Sequence, residues 1–267
     1  MSEQDVLERI TPVILTFNEE ANIDRVLARL VWARDIVVVD SFSTDATVSI
    51  LSRYPHVRLF QRAFDSHTRQ WNFAIGATGI KTDWFLALDA DYVLTEELIA
   101  ELAALRPDQT IDGYSAGFRY CIGGVPLRGT LYPPVTILCR SSKARYEPDG
   151  HTQRVAVIGA VAMLVSKVLH DDRKPLSRWI TSQQNYARLE AEHLLAGVKP
   201  GSAMDIIRRW GTIAPIVVFF YTLIIKGCIL DGWRGWLYVL QRTFAELLIA
   251  LEIIDRWIAK SGGTDRA

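Results

Sequence analysis

Several features that would classify this chain quickly are scarce or missing. It has three cysteines, Cys121, Cys139 and Cys228, none in a CxxC spacing. That excludes a disulfide scaffold and a cysteine zinc site, and suits a reducing compartment. Neither sign of charge is in excess: 30 basic residues match 30 acidic ones, so no global basic field points to nucleic acid. The N-terminal MSEQDVLERI is polar and charged, as expected of a chain without a secretory signal. No GxGxxG and no P-loop pattern follows an apolar run, which excludes those two phosphate cradles. The apolar stretches fall short of the about 20 residues that a bilayer span needs; GTIAPIVVFFYTLII reaches that length only by running on through Lys226.

What the sequence does have is a hydrophobic content of 49%, enough for a large core. Over the first hundred residues, strand-like and helix-like patterns alternate. TPVILTF, DIVVVD, HVRLF and WFLAL read as strands; ANIDRVLARL, STDATVSILSRY, TRQWNFAIGA and EELIAELAAL read as helices. Ser43 or Thr44 is expected to cap the second helix and Thr95 the fourth, where Glu96 and Glu97 favour the dipole. Repeated βα units with continuous apolar strands predict an α/β fold around a mostly parallel sheet covered by helices on both faces.

Ligands of such sheets bind beyond the carboxyl ends of the strands. Three polar clusters sit there: TFNEE, DSFSTD and DADY. Asp89 and Asp91 are the sharpest signal. They end an apolar strand at i and i+2, and burying two unpaired carboxylates is costly unless something neutralises them. On a straight strand both point to one face, where they can share Mg²⁺ or Mn²⁺ with a diphosphate. Asp40 can accept from a base N–H or a ribose hydroxyl, or cap the STDAT segment. Asn18 and Glu19 can contact a nucleoside or cap ANIDRVL. Arg69 can reach phosphate or lie on the surface. His170, flanked by Asp171 and Asp172 after an apolar run, is a candidate for metal or phosphate.

Beyond residue 112 the texture changes to glycine- and aromatic-rich segments, the expected opposite wall of a cleft. The expected organisation is a domain over residues 1–200, in halves 1–112 and 113–200, and a helical tail over 201–267. In the tail, Leu237, Leu240, Phe244, Leu247, Leu251 and Ile254 share a helical face, and Trp210, Trp233, Trp236 and Trp257 punctuate it. Helices lying in a membrane interface are the preferred reading of this segment, and a helical subdomain packed on the core is the alternative.

VILTFNEEANI, IVVVDSFSTDATVSI, TRQWNFA and DWFLALDADYVLTEEL together resemble the family 2 inverting glycosyltransferases of GT-A (Rossmann-like) fold. The likeness extends to LHDDRKPLSRW and KGCILDGWRGWLYVLQRTFAELL, and is nearest to the bacterial lipopolysaccharide-core and exopolysaccharide branch. The resemblance implies that Thr16, Phe17, Asn18 and Glu19 line a nucleoside pocket and that Asp40 contacts uracil. It implies that Arg69 approaches the diphosphate, that Asp89 lies near ribose and metal, and that Asp91 ligates Mg²⁺ or Mn²⁺ with His170 completing the shell. The donor would be a UDP-sugar and the acceptor a lipid-linked or lipopolysaccharide-core saccharide, at the cytoplasmic face of the bacterial inner membrane. Candidates for the catalytic base are Asp149, then His151 and Glu147, with Asp171 and Asp172 as rivals. Relatives often carry His-Glu here, whereas this chain continues from His151 to Thr152 and Gln153. A nucleotidyltransferase and a non-catalytic nucleotide-sugar-binding scaffold are the competing readings.

Overall fold

The computed structural model describes residues 6–106, 110–149, 152–196 and 203–262. They divide into two compact units, 6–126 with 132–174, and 127–131 with 175–262. Most of the second unit thus follows Pro175, with the short segment Leu127–Leu131 added from earlier in the chain.

The first unit is built on strands β1 (Ile10–Thr16), β2 (Ile36–Asp40), β3 (Val57–Gln61) and β4 (Trp84–Asp89), with α1 (Ile23–Leu27), α2 (Thr47–Leu51) and α3 (His67–Gly76) between them. These four strands are parallel, in spatial order β3-β2-β1-β4, as the βα alternation predicts. Alternate residues serve opposite faces. Ile14, Val38, Leu86 and Leu88 pack with Ile23, Val26 and Leu27 of α1. Val13, Val37, Val39 and Phe85 pack with Trp71 and Ala74 of α3 on the other side. Fully apolar strand sequences follow from this two-sided burial.

The sheet continues through β5 (Tyr92–Val93), α4 (Glu96–Ala104), β6 (Ile111–Ile122), β7 (Val125–Pro126), β8 (Val135–Arg140), β9 (Ala144–Asp149), β10 (Thr152–Val157) and β11 (Ala160–His170). Strand β8 enters antiparallel to both β4 and β6, β11 runs parallel to β6, and β5 pairs antiparallel with the end of β11. The whole sheet is therefore mixed, its parallel part confined to the first four strands and the β6–β11 pair. Strands β9 and β10 form a separate hairpin. Thr95 caps α4 as expected, its side chain accepting from Leu98 N.

The second unit holds α5 (Leu176–Leu195), α6 (Ala203–Arg209), α7 (Ile213–Phe220) and α8 (Gly232–Gly262). A π-turn (Tyr221–Ile225) and a 3₁₀ turn (Cys228–Asp231) connect α7 to α8. Arg208 fastens the unit from inside: Nη1 donates to Glu190 at 3.0 Å and Nε to Glu246 at 2.8 Å, joining α5, α6 and α8. Gly235 is obligatory, because a Cβ there would meet the Cys228 carbonyl oxygen at 1.8 Å. Among the described residues, no single helix is long and apolar enough to cross a membrane. The segments Ile213–Ile225 and Cys228–Ala259 meet that test only as a pair, bent by 67°.

Candidate active site

Register brings the strand ends to one edge. Leu15 pairs with Asp89, Thr16 with Asp40, and Asp40 with Gln61. Asp40 and Asp89 thus flank the end of β1, about 10 Å apart at ordinary strand spacing.

The loops after β1 and β2 are laced together. Asn18 N donates to Ser43 Oγ at 2.7 Å, Thr44 N to Asn18 Oδ1 at 2.7 Å, and Glu19 N to Thr47 Oγ1 at 2.7 Å. Asn18 and Phe42 both take the left-handed backbone conformation, with φ of 54° and 61°. Asparagine tolerates it; phenylalanine is an outlier there, and such strain tends to mark functional sites. Both Phe17 and Phe42 leave half their surface exposed. Asp40 is fully buried, accepting from Thr16 Oγ1 at 3.0 Å and Ser43 N at 2.8 Å. It organises the loop after β2, accepting from Ser43 N rather than from an N–H of α2. The expected cap of α2 by Ser43 or Thr44 is corrected: Ser43 is drawn to Asp40, and Asp45 Oδ1 accepts from Thr47 N at 3.0 Å.

Asp91 lies in the turn beyond β4 rather than on the strand, so the straight-strand geometry for i and i+2 does not apply. It faces His170 instead, with Nε2 at 3.3 Å from Asp91 Oδ2. The β5–β11 pairing creates this contact by setting His170 opposite Tyr92. Burial and the Asp91 carboxylate push Asp89 up to about 6. For Asp91, burial acts in the same direction, but His170 and Lys174 outweigh it and hold the group below the usual carboxylate range. Burial lowers His170 and Asp91 more than offsets it, so the imidazole is raised. Each group of the pair therefore favours the charged form of the other.

A charged network that sequence reasoning missed surrounds the pair. Lys174 Nζ lies 2.8 Å from Glu19 Oε1 and 3.7 Å from Asp172 Oδ1. Burial raises Glu19, and Asp91 adds to the shift against the opposition of Lys174. Asn22 Nδ2 donates to Glu19 at 3.0 Å and to Asp172 at 2.9 Å. The Asp171 carboxylate accepts from Gly124 N at 3.1 Å and Arg173 Nε at 3.0 Å, with Arg25 Nε at 3.4 Å. Asp172 therefore holds the loop after β11 against the loop after β1, and Asp171 holds it against α1 and the β6–β7 turn.

The helix α3 presents one residue outward and its neighbours inward. Arg69 is largely exposed, its Nη1 3.5 Å from Asp65. Its neighbours reach inward: Gln70 Nε2 donates to Ser41 Oγ at 3.1 Å, and Trp71 stacks on Tyr146 with centroids 5.0 Å apart. Asn72 clamps the backbone of Tyr146, donating to its carbonyl and accepting from its N–H, each at 2.9 Å. That fixes β9, the strand that ends at Asp149. His151 lies outside the described residues, as does the side chain of Asp149.

Among the described residues, no three His, Cys, Asp or Glu side chains are grouped to hold a metal. Asp91 and His170 nonetheless fit two places in a shell. Two ligands at right angles, each about 2.1 Å from an ion, stand about 3 Å apart, close to the observed 3.3 Å. His170 Nδ1 is buried with no hydrogen-bond partner. Mg²⁺ and Mn²⁺ sites commonly take few protein ligands and fill the rest from phosphate and water.

Residues 11–163 match the family described as Glycosyl transferase family 2. A Rickettsia felis protein described as an uncharacterized glycosyltransferase is 32% identical over 260 residues, covering 91% of this chain and 88% of its own length. A Rickettsia bellii protein of the same description is 34% identical over 110 residues, covering 41% of this chain and only 36% of its own length. Among solved structures, Staphylococcus aureus TarS 1–349 in complex with UDP-GlcNAc is similar, with TM-score 0.49 and 14% identity, covering 94% and 92% of the two chains. Glucosyl-3-phosphoglycerate synthase from Mycobacterium tuberculosis, with Mn²⁺, UDP and glucosyl-3-phosphoglycerate, gives TM-score 0.44 and 15% identity over 75% and 86%. The chain belongs to glycosyl transferase family 2.

Proposed function

We propose that this chain is a metal-dependent inverting glycosyltransferase that moves a sugar from a UDP-sugar to a lipid-linked or lipopolysaccharide-core saccharide. The observation that carries the reading is the Asp91–His170 pair beside Asp89, at the mouth of a sheet whose sequence belongs to this family. Asp91 and His170 would hold Mg²⁺ or Mn²⁺, with Asp89 near ribose and metal. The ion's contribution when bound is to neutralise charge developing on the departing diphosphate. The laced loops after β1 and β2, with Thr16, Phe17, Asn18 and Asp40, border the nucleoside. Arg69 can extend toward the diphosphate.

Inversion is one in-line displacement. The acceptor oxygen forms a bond to the anomeric carbon, the bond to the diphosphate oxygen breaks, and UDP leaves with the electron pair. The acceptor proton passes to a carboxylate. Asp171 and Asp172 are engaged in holding their loop, which favours Asp149 as the base. The test is turnover of a panel of UDP-sugars by purified protein with Mg²⁺ or Mn²⁺. UDP release that is lost in Asp91→Asn, with folding retained, supports the reading. Release of pyrophosphate from a nucleoside triphosphate instead would replace it with nucleotidyl transfer.

A further inference from the structure

The second unit carries an apolar surface that transfer chemistry in the first unit does not require. At the turn between α7 and α8, Ile224, Ile225, Ile229 and Leu230 are half to more than two-thirds exposed, with Trp233 and Trp236 beside them. Exposed aliphatic side chains in one turn are not explained by a scarcity of polar surface, since scattered single residues would satisfy that. The turn itself is an irregular break: a π-turn, then Gly227 at φ 72°, then a 3₁₀ turn.

The charge around this turn is mostly basic. Between residues 206 and 245 the only acidic residue is Asp231, against Arg208, Arg209, Lys226, Arg234 and Arg242. Asp231 is turned inward, where its carboxylate accepts from Arg128 N at 3.0 Å and faces Arg128 Nε at 3.4 Å. Arg208 is spent internally on Glu190 and Glu246. Lys226 and Arg234 flank the apolar turn, each held against a ring: Lys226 Nζ lies 5.5 Å from the Tyr221 centroid and Arg234 Cζ 4.6 Å from that of Trp233. Aliphatic side chains at a tip, tryptophans beside them and cations on aromatic rings just behind are the arrangement that suits the boundary between acyl chains and headgroups.

We infer that this turn inserts into the surface of an anionic lipid bilayer, with Ile224, Ile225, Ile229 and Leu230 among the acyl chains and Lys226 and Arg234 at the headgroups. A second copy of the chain is the other occupant that an apolar face could take. A twofold contact through this turn would bring the cationic flank against itself, which is repulsive, whereas anionic headgroups complement it. The 67° bend makes the segment a wedge rather than a span. The inference stands on the second unit alone and is independent of the donor proposed for the first.

The experiment is flotation of the full chain with phosphatidylcholine vesicles, with and without phosphatidylglycerol, at low and high salt. The wild-type protein should float with the anionic vesicles and be released by salt. Leu230→Asp combined with Ile225→Asp should lower the partition at least tenfold. Lys226→Gln with Arg234→Gln should remove about fivefold per cation and most of the salt dependence. Circular dichroism and thermal unfolding check that the variants are folded. Unchanged flotation of the tip variant overturns the inference, as does wild-type protein that ignores anionic vesicles. A wild-type dimer that the tip variant converts to monomer, with no vesicle binding by either, overturns it in favour of a second copy.

Discussion

Replacing Asp89 by asparagine should stabilise the metal-free protein while removing its activity. Burial and the adjacent Asp91 carboxylate push Asp89 from 3.8 up to about 6. An acid raised in the folded state contributes stability below its ordinary value, and that contribution is lost as pH rises through the folded value. A shift of about two units is worth at most about 3 kcal/mol, and partial solvent access brings the expectation to about 1–3 kcal/mol. In urea denaturation with a chelator present, Asp89→Asn should exceed wild type by that amount at about pH 8. The excess should shrink to about half by pH 5 and become small near pH 4, where the folded-state carboxyl is protonated and the unfolded one is beginning to be. An excess that does not change with pH, or a variant less stable than wild type at pH 8, would refute the electrostatic account of this end of β4.

Phe42→Gly removes a side chain from a left-handed conformation that costs a non-glycine residue about 1–2 kcal/mol, against about 1 kcal/mol of added chain entropy in the unfolded state. Its melting temperature should hold or rise slightly, while calorimetry should show weaker UDP binding if the exposed ring faces the nucleoside. Asn72→Ala deletes both hydrogen bonds to the Tyr146 backbone and should destabilise by about 1–3 kcal/mol, read by thermal unfolding. Transfer should fall more than UDP affinity, because β9 leads to Asp149 and not to the nucleoside loops.

The strand ends were legible because buried parallel strands are continuous apolar runs, and polar clusters after them stand out. His170 was legible as a residue closing an apolar strand, but only the family resemblance, and no local pattern, set it beside Asp91. The contact with Asp91 depends on the short antiparallel β5–β11 pairing, whose two-residue strand carries almost no pattern. The Lys174, Asn22 and Arg25 network was invisible for a related reason. Its members lie about 150 residues apart in sequence, as Asn22 and Asp172 do, and each alone reads as an ordinary surface residue. The misplaced cap of α2 shows a local failure. Ser43 has the right chemistry for a cap, but Asp40, three residues earlier, competes for it successfully. In TRQWNFA the arginine drew attention by its charge, whereas Gln70, Trp71 and Asn72 make the contacts that position neighbouring segments.

The most direct test of the central claim is isothermal titration of the wild-type chain and Asp91→Asn with UDP, each with Mn²⁺ and with a chelator. The account predicts binding by the wild-type protein that depends on Mn²⁺ and is lost in the folded variant. Equal UDP affinity with and without the ion, or full retention of Mn²⁺-dependent binding by Asp91→Asn, would contradict it.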